Sequence, residues 1–126
     1  MYFHVMLGAN DLAASTRFYD ATFGVLSVSA KGQFRDEPPA FMYGDPKTGL
    51  FFLTKPQDGK EACHANGGTV MFKASSKAVA NAWYEAGLAN GGSDVNGPPA
   101  AGALPNTTMG YLRDPTGNKV AVVAFE

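Results

Sequence analysis

The sequence predicts an α+β fold made of two copies of a β-α-β-β-β unit, and three observations point to it. His4-Val5-Met6-Leu7 through Phe18-Tyr19-Asp20-Ala21 aligns without a gap with Thr69-Val70-Met71-Phe72 through Trp83-Tyr84-Glu85-Ala86, at a constant offset of 65. Asp45-Pro46-Lys47-Thr48-Gly49-Leu50-Phe51-Phe52 aligns with Asp114-Pro115-Thr116-Gly117-Asn118-Lys119-Val120-Ala121 at an offset of 69. In both copies an alternating apolar stretch precedes a helical pattern, and short apolar runs punctuated by Gly, Pro and Asp follow. A duplicated unit of this kind relates equivalent positions by a pseudo-twofold axis and places them face to face across a cleft.

The first copy opens with an alternating strand over residues 2–8. Phe3, Val5 and Leu7 point one way, and Tyr2, His4 and Met6 the other. Asn10 or Asp11 caps a helix to Phe23 with Leu12, Ser15, Tyr19 and Phe23 on its inner stripe, and Gly24 supplies the stop. Short strands are expected near 25–30, 33–36, 38–44 and 50–54, with a turn at Asp45–Gly49. Residues 55–67 have no periodicity and contain Pro56, Gly59 and Gly67, which marks a linker.

The second copy repeats the plan. A strand over 69–74 leads to a helix capped by Ser75 or Ser76, with Val79, Trp83 and Ala86 inward, and Gly91-Gly92 ends it. Residues 93–106 are rich in Gly, Pro, Ala and Asn and read as a long mobile loop, a candidate lid. Strands over 107–112 and 119–125 flank the Asp114–Asn118 turn. The expected organisation is one domain over 1–126, with modules at 1–54 and 68–126 joined by 55–67. The fold class is α+β: two βαβββ modules forming a curved mixed sheet, with helices on the outer face and a central cleft.

Composition narrows the function classes. Ten basic and eleven acidic residues give a formal charge of −1, without long like-charge runs, so neither nucleic acid nor an anionic membrane is an expected partner. No apolar run approaches the roughly 18 residues of a membrane span, and the start lacks a secretory pattern. Cys63 is the single cysteine, which rules out an intramolecular disulfide and suits a reducing, cytoplasmic setting.

His4-Val5-Met6-Leu7 with Asp11-Leu12-x-x-Ser15, Phe18-Tyr19 and Gly24, then Gly67-Gly68-Thr69-Val70-Met71-Phe72, then Tyr111-Leu112-Arg113-Asp114-Pro115-Thr116-Gly117-Asn118 resemble the vicinal oxygen chelate superfamily. That group includes glyoxalase I, bleomycin-resistance proteins and extradiol dioxygenases. The resemblance spans nearly the whole chain. It implies paired βαβββ modules, a homodimer, and in metal-dependent members a His or Gln from each first strand with a Glu or His from each last strand. The matching positions here are His4, Phe52, Thr69 and Ala121.

Only His4 offers good ligand chemistry, and metal sites that last use three or more protein ligands. The shared metal site is therefore expected to be lost, with no cofactor and no catalytic residue assigned. Glu61-x-x-His64 lies in the aperiodic linker, where solvated loop residues are the expectation. Tyr111 matches the tyrosine of the extradiol dioxygenase signature and is expected to contact ligand without catalysing. Cys63 beside His64, Ser75-Ser76 and Asp36-Glu37 are read as neighbouring loop residues, helix caps and a solvated turn.

The expected ligand-binding residues are His4, Met6, Met42, Phe52, Thr69, Met71, Tyr111 and Ala121, within a wall that also takes in Tyr2, Leu50 and Val123. That set is mostly apolar and aromatic, the usual lining of a small-molecule pocket, and its methionines adapt to ligand shape. The expected function is metal-free binding of a small, largely apolar or aromatic molecule. The alternatives are a metal-dependent lyase or dioxygenase with a rebuilt site, a metal-independent enzyme using His4 and Tyr111 for proton transfer, and a dimeric interaction module with a vestigial cleft.

Overall fold

A computed structural model describes all residues, 1–126. The chain runs β1 (His4–Gly8), α1 (Leu12–Val25), β2 (Ala30–Asp36), β3 (Pro39–Asp45), β4 (Gly49–Thr54), β5 (Val70–Ala74), α2 (Lys77–Ala89), β6 (Ser93–Asp94), β7 (Ala100–Ala101), β8 (Thr107–Arg113) and β9 (Lys119–Phe125). The α+β class and the doubled unit are as the sequence implies. The first module forms a four-stranded sheet in the order β1-β4-β3-β2, and the second a sheet in the order β5-β9-β8-β6 with β7 also on β8. In each, the first strand runs parallel to the last while the remaining pairs are antiparallel.

Local chemistry accounts for the helices. Asp11 caps α1 by accepting from the Ala14 N–H at 3.0 Å, and Ser76 caps α2 by accepting from the Val79 N–H at 3.1 Å. Helix α1 passes Gly24 and ends at Val25; the left-handed turn falls on Ser27 (φ 59°), so Gly24 is not the stop. The strand expected near 25–30 is absent for the same reason. Val25 completes the helix, and Leu26–Ser29 is the connection to β2.

Phe18, Tyr19, Tyr43, Phe51, Leu53, Trp83, Leu112, Val120 and Val122 belong to one buried cluster drawn from both modules. Phe72 of β5 packs against Phe23 and Phe51 of the first module, at ring distances of 5.0 and 5.8 Å. Helices α1 and α2 pack on each other where Gly87 meets Phe18 and Thr22. The helix-covered faces of both sheets thus share a single core, and burying that apolar area is the main force joining the modules.

Polar contacts lock the same joint. The buried Asp114 carboxylate accepts from the backbone N–H groups of Thr116, Gly117 and Asn118 at 2.9–3.0 Å, from Asn118 Nδ2 at 3.0 Å, and from the Tyr19 hydroxyl at 2.7 Å. The Asp-Pro-x-Gly-Asn turn is therefore a cage around one carboxylate, closed by a tyrosine from the other module. Asn10 ties the linker down by a reciprocal pair with Ala62: its Nδ2 donates to the carbonyl at 3.0 Å, and its Oδ1 accepts from the N–H at 2.7 Å.

Residues 93–106 are a correction to the lid expectation. They carry β6 and β7, two-residue strands that extend the sheet along β8. Gly110 has no Cβ because Pro99 sits there, and Gly102 leaves the same room for Met109. The segment is seated on the sheet edge.

Candidate ligand-binding site

Strand register groups the sequence-predicted residues into two rows. Met6 is paired with Phe52 and Phe52 with Met42. Met71 is paired with Ala121 and Ala121 with Tyr111. The offsets of 65 and 69 carry one row onto the other, so the internal repeat holds at the level of individual strand partners. Residues directly opposite on adjacent strands share a face. Phe51, Leu53, Val120 and Val122 lie in the core, so both rows lie on the faces turned away from it.

Each row is built differently. In the first module Phe52 is only 7 % exposed because His4 stands edge-on against it at 5.2 Å and Phe34 lies at 5.0 Å on its other side. Phe34 is 49 % exposed and was not expected. It reaches the row because β2 is bulged between Gln33 and Arg35, which breaks the alternation that would otherwise tell which face it takes. In the second module Ala121 carries only a methyl group and is fully buried, and Tyr111 is half-buried with its hydroxyl 3.5 Å from Met109 Sδ. The Lys119 ammonium lies 6.0 Å from the Tyr111 ring centroid. Met6 and Met71, at 40 % and 38 % exposed, stand on edge strands.

The two rows belong to separate sheets. No strand of one sheet pairs with a strand of the other, and the aromatic contacts of His4 and Phe52 stay within the first module. Thr69 precedes β5 and is exposed, at the end of the second row. A concavity of about 450 Å³ is a seam between the modules, bordered by Val5, Phe23, Leu50, Phe51, Val70 and Phe72 with Lys31 and Asp45. Of the eight expected ligand-binding residues only Met71 borders it.

The metal positions of the resemblance do not fit a metal here. His4, Phe52, Thr69 and Ala121 provide one nitrogen donor, and no group of three or more His, Cys, Asp or Glu side chains is placed to hold an ion. Glu61 and His64 lie outside any helix, as expected, and the His64 ring rests over Gly117 (φ +103°), where a Cβ would collide with it. Cys63 is exposed. The perturbed tyrosines lie away from the rows. Burial and then Asp114 push Tyr19 far above its ordinary pKa, burial and then Asp20 do the same to Tyr43, and the hydrogen bond to Asp94 raises Tyr84.

Comparison with known proteins accounts for this architecture. The model of the Glyoxalase/Bleomycin resistance protein/Dioxygenase superfamily matches residues 2–122. The chain belongs to that superfamily. A glyoxalase/bleomycin resistance protein from Albidiferax ferrireducens T118 is similar over the whole length, with 38% identity, a TM-score of 0.87, and coverage of 100% of this chain and 99% of its own. A glyoxalase-related enzyme from Fulvimarina pelagi shares the fold at 21% identity and TM-score 0.75, covering 98% of this chain and 87% of its own. A glyoxalase/bleomycin resistance protein/dioxygenase family enzyme from Burkholderia phytofirmans PsJN does so at 14% identity and TM-score 0.73, covering 98% of each. No curated protein matches. No helix of this superfamily member is long and apolar enough to cross a membrane.

Proposed function

We propose that the chain is a metal-free small-molecule binding protein that works as a homodimer. Its cleft would form where the Met6–Phe52–Met42 row of one copy meets the Met71–Ala121–Tyr111 row of another. One observation carries this reading: two symmetry-related apolar rows lie on outward faces, each flanked by an open sheet edge, β1 or β5. Open edges with exposed methionines are liabilities in a lone chain and are ordinarily covered. Pairing the bulky Phe52 with the small Ala121 leaves room for a ligand between them. The aromatic and methionine lining suits a flat, largely apolar molecule. The 38 % identical relative carries the glyoxalase/bleomycin resistance name, which fits this class.

The test is analytical ultracentrifugation combined with thermal denaturation against a panel of aromatic compounds. The wild-type protein should sediment as a dimer, and at about 100 times the Kd a ligand should add about 2.7 kcal/mol of stability. Met6→Asp should weaken both dimer and ligand response. A monomer whose ligand response is untouched by Met6→Asp, or a purified protein carrying stoichiometric metal, would overturn the proposal.

A further inference from the structure

The second row carries charge that its counterpart lacks. Arg113 is paired with Lys119, and Lys119 stands two residues before Ala121 on β9, so both cations share the face of Tyr111. The repeat provides an internal comparison. At offset 69, Lys119 corresponds to Leu50 and Arg113 to Gly44, themselves strand partners on the first sheet. The same strand pairing forms there without either cation, with Gly44 at φ 94° where the second sheet has Arg113.

Neither cation has an acidic partner. Arg113 gives one guanidinium N–H to the Gly117 carbonyl at 2.9 Å, which leaves most of its five donors uncommitted. The Lys119 ammonium has only the face of the Tyr111 ring. The single ion pair of the chain is Lys77 with Glu126. Strands β5, β8 and β9 contain no Asp or Glu at all. Two like charges directly opposite on neighbouring strands repel, and an anion between them would turn that repulsion into attraction. The first row offers the complementary part, an aromatic floor of His4, Phe34 and Phe52.

We infer that the ligand is an aromatic or planar apolar acid whose anionic oxygens are held by Lys119 and Arg113 beside Tyr111. This rests on the proposed cleft and adds the ligand's charge to it. A carboxylate and a phosphate ester share the chemistry required: oxygens that accept charge-assisted hydrogen bonds. Arg113, with its planar fork, suits either.

The experiment is isothermal titration calorimetry on the dimer with 2-naphthoate, 2-naphthyl phosphate and the neutral 2-naphthamide. One of the acids should bind at least about tenfold tighter than the amide, and the stronger acid identifies the anion class. The preference should shrink as ionic strength rises from about 0.05 to about 0.5 M. Lys119→Met keeps the apolar stem and should remove most of the preference while leaving amide affinity in place; Lys119→Arg should restore it. Lys73→Ala, at the opposite end of the same face, should leave it intact. Acid and amide binding equally would overturn the inference and leave the cleft standing. A preference that survives Lys119→Met would also overturn it. No binding of any probe would sink the cleft reading and this inference together.

Discussion

The Tyr19 hydroxyl donates to the Asp114 carboxylate across the module boundary at 2.7 Å. Its repeat counterpart, Tyr84, makes the corresponding bond within its own module, to Asp94, also at 2.7 Å. The same helix position thus supplies an intermodule lock in one copy and a local brace in the other. Tyr19→Phe removes the lock but leaves Asp114 its four donors from the turn. The loss should be about 1.5–3 kcal/mol, the range for a hydrogen bond to a charged group, measured by urea denaturation. An unchanged midpoint would mean that the hydroxyl contributes nothing to joining the modules.

Alkaline pH should act on the same feature. Tyr19 and Tyr43 hold their protons in the fold well beyond the usual value of 10.0, through burial first and then their carboxylate partners. The unfolded chain releases those protons above about pH 10. Stability is therefore full below pH 10 and falls as pH rises further. Melting temperature followed from pH 8 to about 11.5 should decline above pH 10, and less steeply in Tyr43→Phe. A flat curve would contradict the assignment.

Ser15 offers a stabilising change. Its hydroxyl is buried on α1 without a hydrogen-bond partner, and the repeat has Ala80 at the corresponding place. Ser15→Ala should raise stability by up to about 1 kcal/mol, because an unsatisfied buried hydroxyl and its desolvation are removed together. A lowered melting temperature would show that the hydroxyl is bonded in solution.

Gly87 should tolerate nothing larger. A Cβ there would run into Leu112 and stand 3.2 Å from Phe18, at the crossing of α1 and α2. Alanine ordinarily favours a helix interior over glycine by about 1 kcal/mol, so the sign is informative. Gly87→Ala should cost about 1–3 kcal/mol through overpacking, and a gain in stability would show that the helix crossing is loose.

The metal positions can be rebuilt as a test of the two-copy cleft. Phe52→Glu with Ala121→Glu adds two carboxylates at positions related by the repeat, near His4. If the rows of two copies meet, the double variant should bind Ni²⁺ or Zn²⁺ at least about tenfold more tightly than either single variant, since three converging donors are needed. Equal affinity across the three would argue that the rows never adjoin.

Much of this was readable from the chain, for reasons that differ by element. The repeat and the period-two alternation located β1, β4, β5, β8 and β9 and assigned faces to Met6, Phe52, Met71, Ala121 and Tyr111. What escaped depends on non-local pairing. Ser93–Asp94 and Ala100–Ala101 become strands only because the edge of β8 is there to receive them. Phe34 was hidden by the β2 bulge, which no alternating pattern reveals. Lys119 and Arg113 stand two residues from Ala121 and Tyr111, but a cationic side chain is no metal ligand, so the metal-site pattern does not point to them. How the modules sit on each other rests on Phe72 meeting Phe23 and Phe51, contacts between residues far apart in sequence.

Because the rows of one chain look outward, the cleft proposed here belongs to no single polypeptide. A chain crippled at Phe52 and another crippled at Lys119, each inactive by itself, would on mixing form hybrids with one wholly intact pocket and one doubly damaged. Two defective alleles could then rescue each other in part, a genetic signature that a pocket confined within one subunit would never produce.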